Sequence, residues 1–204
     1  MVVMEVPRAS LRAAEDEALA ELEELFWRLD LGPRHRVELL EGQIVVNPKA
    51  AYWHERVVTW LIFRFEPACK ASGWEQTPGA DLVLPRTRDI IEPDHLIVRD
   101  PNAFSNVESV VPIDQVLLVS EICSPSSLRA DRKVKPLSCA KAGIPFYLLV
   151  DRFTQPMTIS LMSEPGEQGY RKVETVHAGP GGGNLRVPEP FGITIDAATL
   201  PEPR

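Results

Sequence analysis

Several common signals are missing from this 204-residue chain, and each absence removes a class of protein. No apolar run approaches the ~20 residues that a membrane-spanning helix needs, so a membrane protein is not expected. The opening stretch, MVVMEVPRASLRAAEDEALAEL, has no basic segment followed by a long apolar one, which argues against a secretory signal and makes a cytoplasmic protein the expectation. The three cysteines, Cys69, Cys123 and Cys139, form no CxxC pair and are odd in number; they read as reduced core thiols, neither a disulfide framework nor a zinc cluster.

Positive charge is also scarce. Against 29 Asp and Glu stand 22 Lys and Arg, a net charge of −7 that at first counts against a polyanionic ligand. The deficit is local: residues 1–30 hold 8 acids and 3 bases, which leaves 21 acids and 19 bases for the remainder. RADRKVK, residues 129–135, reverses the sign with four bases and one acid. At 44% hydrophobic and 25% charged residues the composition is globular and not disordered. The length suits a helical extension over residues 1–30 and a single folded domain over 31–200.

SLRAAEDEALAELEELFWRL, residues 10–29, places Leu11, Leu19, Leu22, Leu25, Phe26 and Leu29 at helical spacing among acids, with Ser10 as a candidate N-cap. RVELLEGQIVVN, residues 36–47, predicts a hairpin turning at Glu41-Gly42. From Lys49 to Ala71, Val57, Leu61 and Phe65 predict a long helix that ends near Gly73 and packs on a sheet. Strand candidates follow at 80–85, 94–98, 115–123, 145–151, 157–162 and 170–178, with a helix over about 127–142 between the third and fourth of the six after residue 80. This succession predicts an α/β (α+β) fold, a mixed central sheet flanked by helices. The tail AGPGGGNLRVPEP, residues 178–190, lacks GK[ST] and a following helix, so its glycines read as a linker or hairpin tip and not a phosphate loop.

EPDHLIV, residues 92–98, sets Asp94 at the mouth of an apolar strand, and QVLLVSEICSPSS, residues 115–127, sets Glu121 at the polar end of another. Two carboxylates at neighbouring strand ends repel unless a cation lies between them, and an all-oxygen donor set favours Mg2+ or Mn2+. Asp131 and Lys135, four apart, share a helix face. A lysine there could stabilise charge on a phosphate, so the group suits phosphodiester hydrolysis. Taken singly, each residue has an ordinary reading. Asp94 could end a strand, Glu38 could face solvent on a hairpin, His54 could cap a helix, and Asp131 with Lys135 could be a surface ion pair worth little. Only as a set do they indicate a site. SCAK at 138–141 has no companion SDN or KTG, and His54-Glu55 lacks the second histidine of a zincin helix, since position 58 is Val58.

In order, the segments VELLEGQIVVNPKAAYWHE, IIEPDHLIV, LLVSEICSPSS, DRKVK and AGIPFYLLVD resemble the bacterial "putative restriction endonuclease" family of the PD-(D/E)XK nuclease superfamily, from about Glu23 to about Ala178. The resemblance implies a restriction-endonuclease-like core behind an N-terminal helix, and a Mg2+- or Mn2+-dependent endonuclease with DNA as the expected nucleic acid. It implies Asp94 and Glu121 as metal ligands, joined by the backbone carbonyl of Ile122, and Lys135 as the catalytic lysine carried on the helix. Glu38 and His54 would stand at the edge of the catalytic site, with Asp131 orienting Lys135. Arg129, Arg132 and Lys133 would meet the DNA backbone.

Three positions depart from the pattern. Cys123 stands where the superfamily's strand lysine would be, Cys139 where tyrosine is usual, and Pro136 follows Lys135, which predicts a kinked or late-starting helix. A catalytically inactive nuclease-fold module binding nucleic acid or a protein partner is therefore the alternative, and a phosphodiesterase for RNA or a smaller nucleotide a third. By analogy with restriction enzymes a homodimer is expected, and base readout would fall to loops such as residues 99–114.

Overall fold

The computed structural model describes residues 8–32, 35–48, 52–100, 102 and 110–202, with side chains from Asp16 onward. Helix α1 (Arg8–Arg28) precedes a hairpin of β1 (His35–Leu40) and β2 (Gln43–Pro48). Because α1 begins before Ser10, that residue lies inside the helix and is not its N-cap. The hairpin turns through Glu41 and Gly42 at φ +50° and +71°, the left-handed pair that matches a tight hairpin's twist. Along β1 the side chains alternate. Leu39 packs with Phe26, Leu22 and Ile90 against α1, while Leu40 joins the core on the opposite face and carries Glu38 to that side.

Helix α2 (Tyr52–Ser72) buries Trp53, Val57, Leu61 and Phe65, one every four residues, against a six-stranded sheet. Its strands are β3 (Glu75–Thr77), β6 (His95–Val98), β7 (Val116–Ile122), β8 (Phe146–Asp151), β9 (Thr158–Ser163) and β10 (Lys172–His177), ordered β10-β9-β8-β7-β6-β3. β4 (Leu82–Leu84) and β5 (Asp89–Ile91) extend the hairpin into a second sheet, ordered β2-β1-β5-β4. β7 and β8 are parallel, because the chain crosses between them through α3 (Lys135–Lys141), whereas the other neighbours in the larger sheet are antiparallel. The sheet is thus mixed, as the sequence predicts. Along β8, Phe146, Leu148 and Val150 face α2, and Tyr147 and Leu149 face α3. Cover on both faces explains why these strands read as unbroken apolar runs.

Four strands escape the sequence pattern. β3, β5 and β12 (Ile193–Asp196) have three or four residues, too few to display a period, and β11 (Asn184–Val187) lies in the tail read as a linker. β11 pairs with β12 and buries Leu185 and Val187 in the α2-side core. The preceding glycines permit close packing: a Cβ on Gly182 would lie 2.7 Å from the His177 carbonyl oxygen.

Pro136 is accommodated by a change of helical pitch. A wide π turn, Ala130–Val134, carries the Lys135 N–H to the Ala130 carbonyl, so α3 starts at Lys135 and Pro136 falls in its first turn. In that pattern the Asp131 carbonyl would face the position where proline has no N–H, and the Tyr147 hydroxyl donates to it instead at 2.9 Å. Of the two expected outcomes the later start is the one seen, since α3 begins after the widened turn, with Lys135 in ordinary right-handed helix geometry. All three cysteines are free and buried. Among the described residues no helix is long and apolar enough to cross a membrane.

Candidate active site

The two strand-end acids meet because of sheet register. β6 and β7 pair His95 with Ser120 and Leu96 with Val119, so one further step sets Asp94 across from Glu121. Parity puts both on the face covered by α3, since Leu96, Val98, Val119 and Cys123 belong to the core on that side. Glu38 reaches the same place from β1, the π turn delivers Asp131, and the first residue of α3 delivers Lys135. Together with Arg36, His54, Ile122 and Ser127 they line a cavity of about 30 Å3, room for one water or one small ion.

Lys135 is the hub of this cluster. Its Nζ lies 2.9 Å from Glu38 Oε1, 3.0 Å from Glu121 Oε1 and 3.2 Å from Asp131 Oδ1, and all four side chains are only 1% exposed. Burial works against the Lys135 charge, but Glu121, Glu38 and Asp131 outweigh it and hold the ammonium's pKa well above its usual value. For Glu121 the balance reverses: burial, reinforced by Asp94, Asp131 and Glu38, pushes the carboxyl well up despite Lys135. Burial raises Asp131 in the same way. Glu121 Oε2 is buried with no hydrogen-bond partner among the described residues. Farther out, burial and then Glu92 and Glu38 push Asp81 up to about 6.

Asp94 has the opposite environment. Its Oδ1 accepts from Arg36 Nη1 at 2.5 Å, and its Oδ2 accepts from His54 Nε2 at 2.9 Å and from the Ile122 N–H at 2.8 Å. Burial alone would raise its pKa; the His54 hydrogen bond and the Arg36 charge overcome that and hold it well below the usual carboxylate range. Arg36 is absent from the sequence-based set, although strand alternation could have found it, because it lies two residues before Glu38 on the same face of β1. Ser127 is a second omission; its hydroxyl donates to Asp131 Oδ2. Among the described residues, no group of three or more His, Cys, Asp and Glu is arranged to hold a metal ion directly.

The basic run divides. Asp131 and Lys135 line the acid cavity, whereas Arg129 pairs with Glu41 at 2.6 Å, Arg132 with Asp151 at 2.7 Å, and Lys133 lines a different cavity. None of the three bases borders the acidic cluster. Within the 99–114 loop assigned to base readout, residues 101 and 103–109 lie outside the described residues.

The fold has a solved counterpart. A crystal structure of a "putative nuclease belonging to DUF820" from Anabaena variabilis is similar with a TM-score of 0.62 at 18% sequence identity, covering 83% of this chain and 89% of that one. No curated protein matches the chain. The family described as "Putative restriction endonuclease", Uma2, matches over residues 20–198, beyond both ends of the segment in which the sequence motifs fall. The chain belongs to that family.

Proposed function

We propose that the protein is a Mg2+- or Mn2+-dependent endonuclease-like phosphodiesterase acting on DNA, with residues 31–200 as its nuclease domain and residues 1–30 as an extension. One observation carries the reading. Four buried carboxyl groups, Glu38, Asp94, Glu121 and Asp131, face two permanent cations, Lys135 and Arg36, and Glu121 Oε2 is left shielded and without a partner among the described residues. Carboxyl groups in excess of cations, and an orphaned oxygen in so small a cavity, fit a hard divalent cation that takes the place of a proton.

Asp94, Glu121 and the Ile122 carbonyl would hold the cation, which when bound supplies a Lewis acid for the phosphoryl oxygen and an acidified water. Arg36 is the partner that Asp94 would release, because its side chain keeps 20% exposure while Asp94 has 1%. His54 donates to Asp94 and sets its rotamer. Lys135 keeps its proton and offers positive charge to the phosphate as negative charge develops. Glu38, which also accepts from the Glu92 N–H at 3.2 Å, and Asp131, aligned by Ser127, fix the ammonium in position. Arg129, Arg132 and Lys133, outside the cavity, would contact the DNA backbone. A homodimer would supply the second cut of a duplex.

The test is nicking of supercoiled plasmid with Mg2+ or Mn2+. Glu121→Gln, which is isosteric, and Lys135→Met are expected to lower the rate by about 10²–10³, with circular dichroism verifying that each variant is folded. Cleavage equal to the wild type would remove the mechanism. A second reading, a catalytically inactive module of the same fold binding nucleic acid or a protein partner, draws on a specific observation: three donors already occupy both oxygens of Asp94. It predicts that the wild type itself shows no cation-dependent nicking.

A further inference from the structure

Behind α3 lies a second cavity, of about 370 Å3, within the ~300–1,000 Å3 range of small-molecule sites. Its lining includes Arg86 and Thr87 from the β4–β5 turn, Arg129 from the start of the helical segment, and Lys133 and Lys141 farther along it. Residues 129, 133, 137 and 141 recur every fourth position and line this cavity, while Asp131 and Lys135 line the acidic one. The helix thus separates a basic wall from an acidic one.

The acids of the second cavity are largely engaged elsewhere. Asp89 is buried; its Oδ1 accepts the Glu41 N–H at 2.8 Å and its Oδ2 accepts the Ser138 hydroxyl, so its charge is tied into the wall. Glu41 is half-exposed and holds Arg129 through an ion pair whose arginine is 72% exposed, a contact that an incoming anion could replace at little cost. Arg86 meets Glu167 at the surface. Lys133 and Lys141 line the cavity, and neither forms an ion pair among the described residues. The Thr87 hydroxyl is shielded from solvent and has no hydrogen-bond partner among the described residues. Four bases and a spare hydroxyl around one concavity, in a chain of net charge −7, give this wall a local basic character suited to an anion.

We propose that this cavity binds a phosphate group, carried either by a DNA strand or by a small nucleotide, with Lys133, Lys141 and Arg129 as cationic contacts, Thr87 as a hydroxyl donor and Glu41 as the competitor that Arg129 must leave. For DNA the inference deepens the nuclease reading and rests on it, by giving the strand a second anchoring point away from the scissile bond. For a small nucleotide it stands independently.

Binding is measured in EDTA, so that the result does not depend on cleavage. A fluorescein-labelled DNA duplex is titrated by anisotropy at several salt concentrations, and pyrophosphate and adenosine 5′-monophosphate by calorimetry. For whichever probe binds, Lys133→Gln with Lys141→Gln should weaken affinity about tenfold or more; for DNA the slope of log K against log salt should fall by about 2. Glu41→Gln, which frees Arg129, should tighten binding several-fold. Loss confined to the small probes identifies a nucleotide, and loss confined to the duplex identifies the strand. The proposal is overturned if the wild type binds no probe or if the double variant binds each as well as the wild type, even where plasmid nicking succeeds.

Discussion

Lys135→Met is expected to cost about 3–5 kcal/mol of folding stability at neutral pH, the usual penalty for removing one partner from a buried ion network. Methionine keeps most of the side-chain volume, so the loss isolates charge from packing. Without the ammonium, Glu38, Glu121 and Asp131 face one another at 1% exposure. Glu121 and Asp131, which burial already pushes up, can recover only by taking up protons, so their folded-state pKa values rise further above those of the unfolded chain. The folded variant then binds more protons than the unfolded one, so its stability falls as pH rises. Urea unfolding from pH 5 to pH 8 should show the gap from wild type widening with pH. A gap below about 1 kcal/mol at pH 7, with no pH trend, would mean that the cluster is not electrostatically coupled.

Asp94→Asn should be comparably damaging and show the opposite pH signature. The carboxylate serves Arg36, His54 and the Ile122 N–H at once, whereas an amide offers one oxygen and turns an N–H toward a donor. The expected cost is about 3–5 kcal/mol at pH 7. The sign follows from the depressed folded pKa of Asp94. Its stabilising contribution is complete above the unfolded value near ~3.9 and is lost as pH falls toward the folded one. The difference between wild type and variant, read by urea unfolding, should therefore be full at pH 7 and shrink below about pH 4. A difference that stays constant across that window would show that Asp94 acts by shape and not by charge.

The two predictions pull apart because Asp94 and Glu121, facing each other across one strand pair, have unlike surroundings. Asp94 sits among donors and stays ionised; Glu121 shares one ammonium with two other acids and is driven toward its protonated form. Carboxyls held at different affinities for protons are what a site needs if one is to be a fixed anchor and the other is to exchange a proton for a cation.

Much of this arrangement is legible in the sequence, for a physical reason. Asp94 and Glu121 each end an apolar strand, and alternation along a strand, with antiparallel register, sends both to one face. The four-residue spacing of Asp131 and Lys135 likewise predicts that they face the same way. Burial is less legible. Lys135 looks like a solvated helix lysine until β1 is laid beside it, and that contact depends on a second sheet assembled through β5, a three-residue strand without a readable period. Arg36 was within reach of the same alternation rule that places Glu38. How the bases of 129–135 divide is not visible in the linear run, because a helix distributes neighbouring residues around its axis: Arg132 turns to Asp151, and Arg129 and Lys133 turn to the cavity behind α3. Pro136 could be foreseen as a disturbance but not its remedy, since Tyr147, which caps the Asp131 carbonyl, comes from a strand beyond the helix.

The central claim is that the surplus carboxylate around Glu121 receives a divalent cation. The direct measurement is calorimetric titration of the folded protein with Mn2+ at pH 7, with Glu121→Gln titrated in parallel. The account predicts saturable binding to the wild type that is lost, or weakened at least tenfold, in the variant. Absence of binding to the wild type, or equal binding to both proteins, would contradict it.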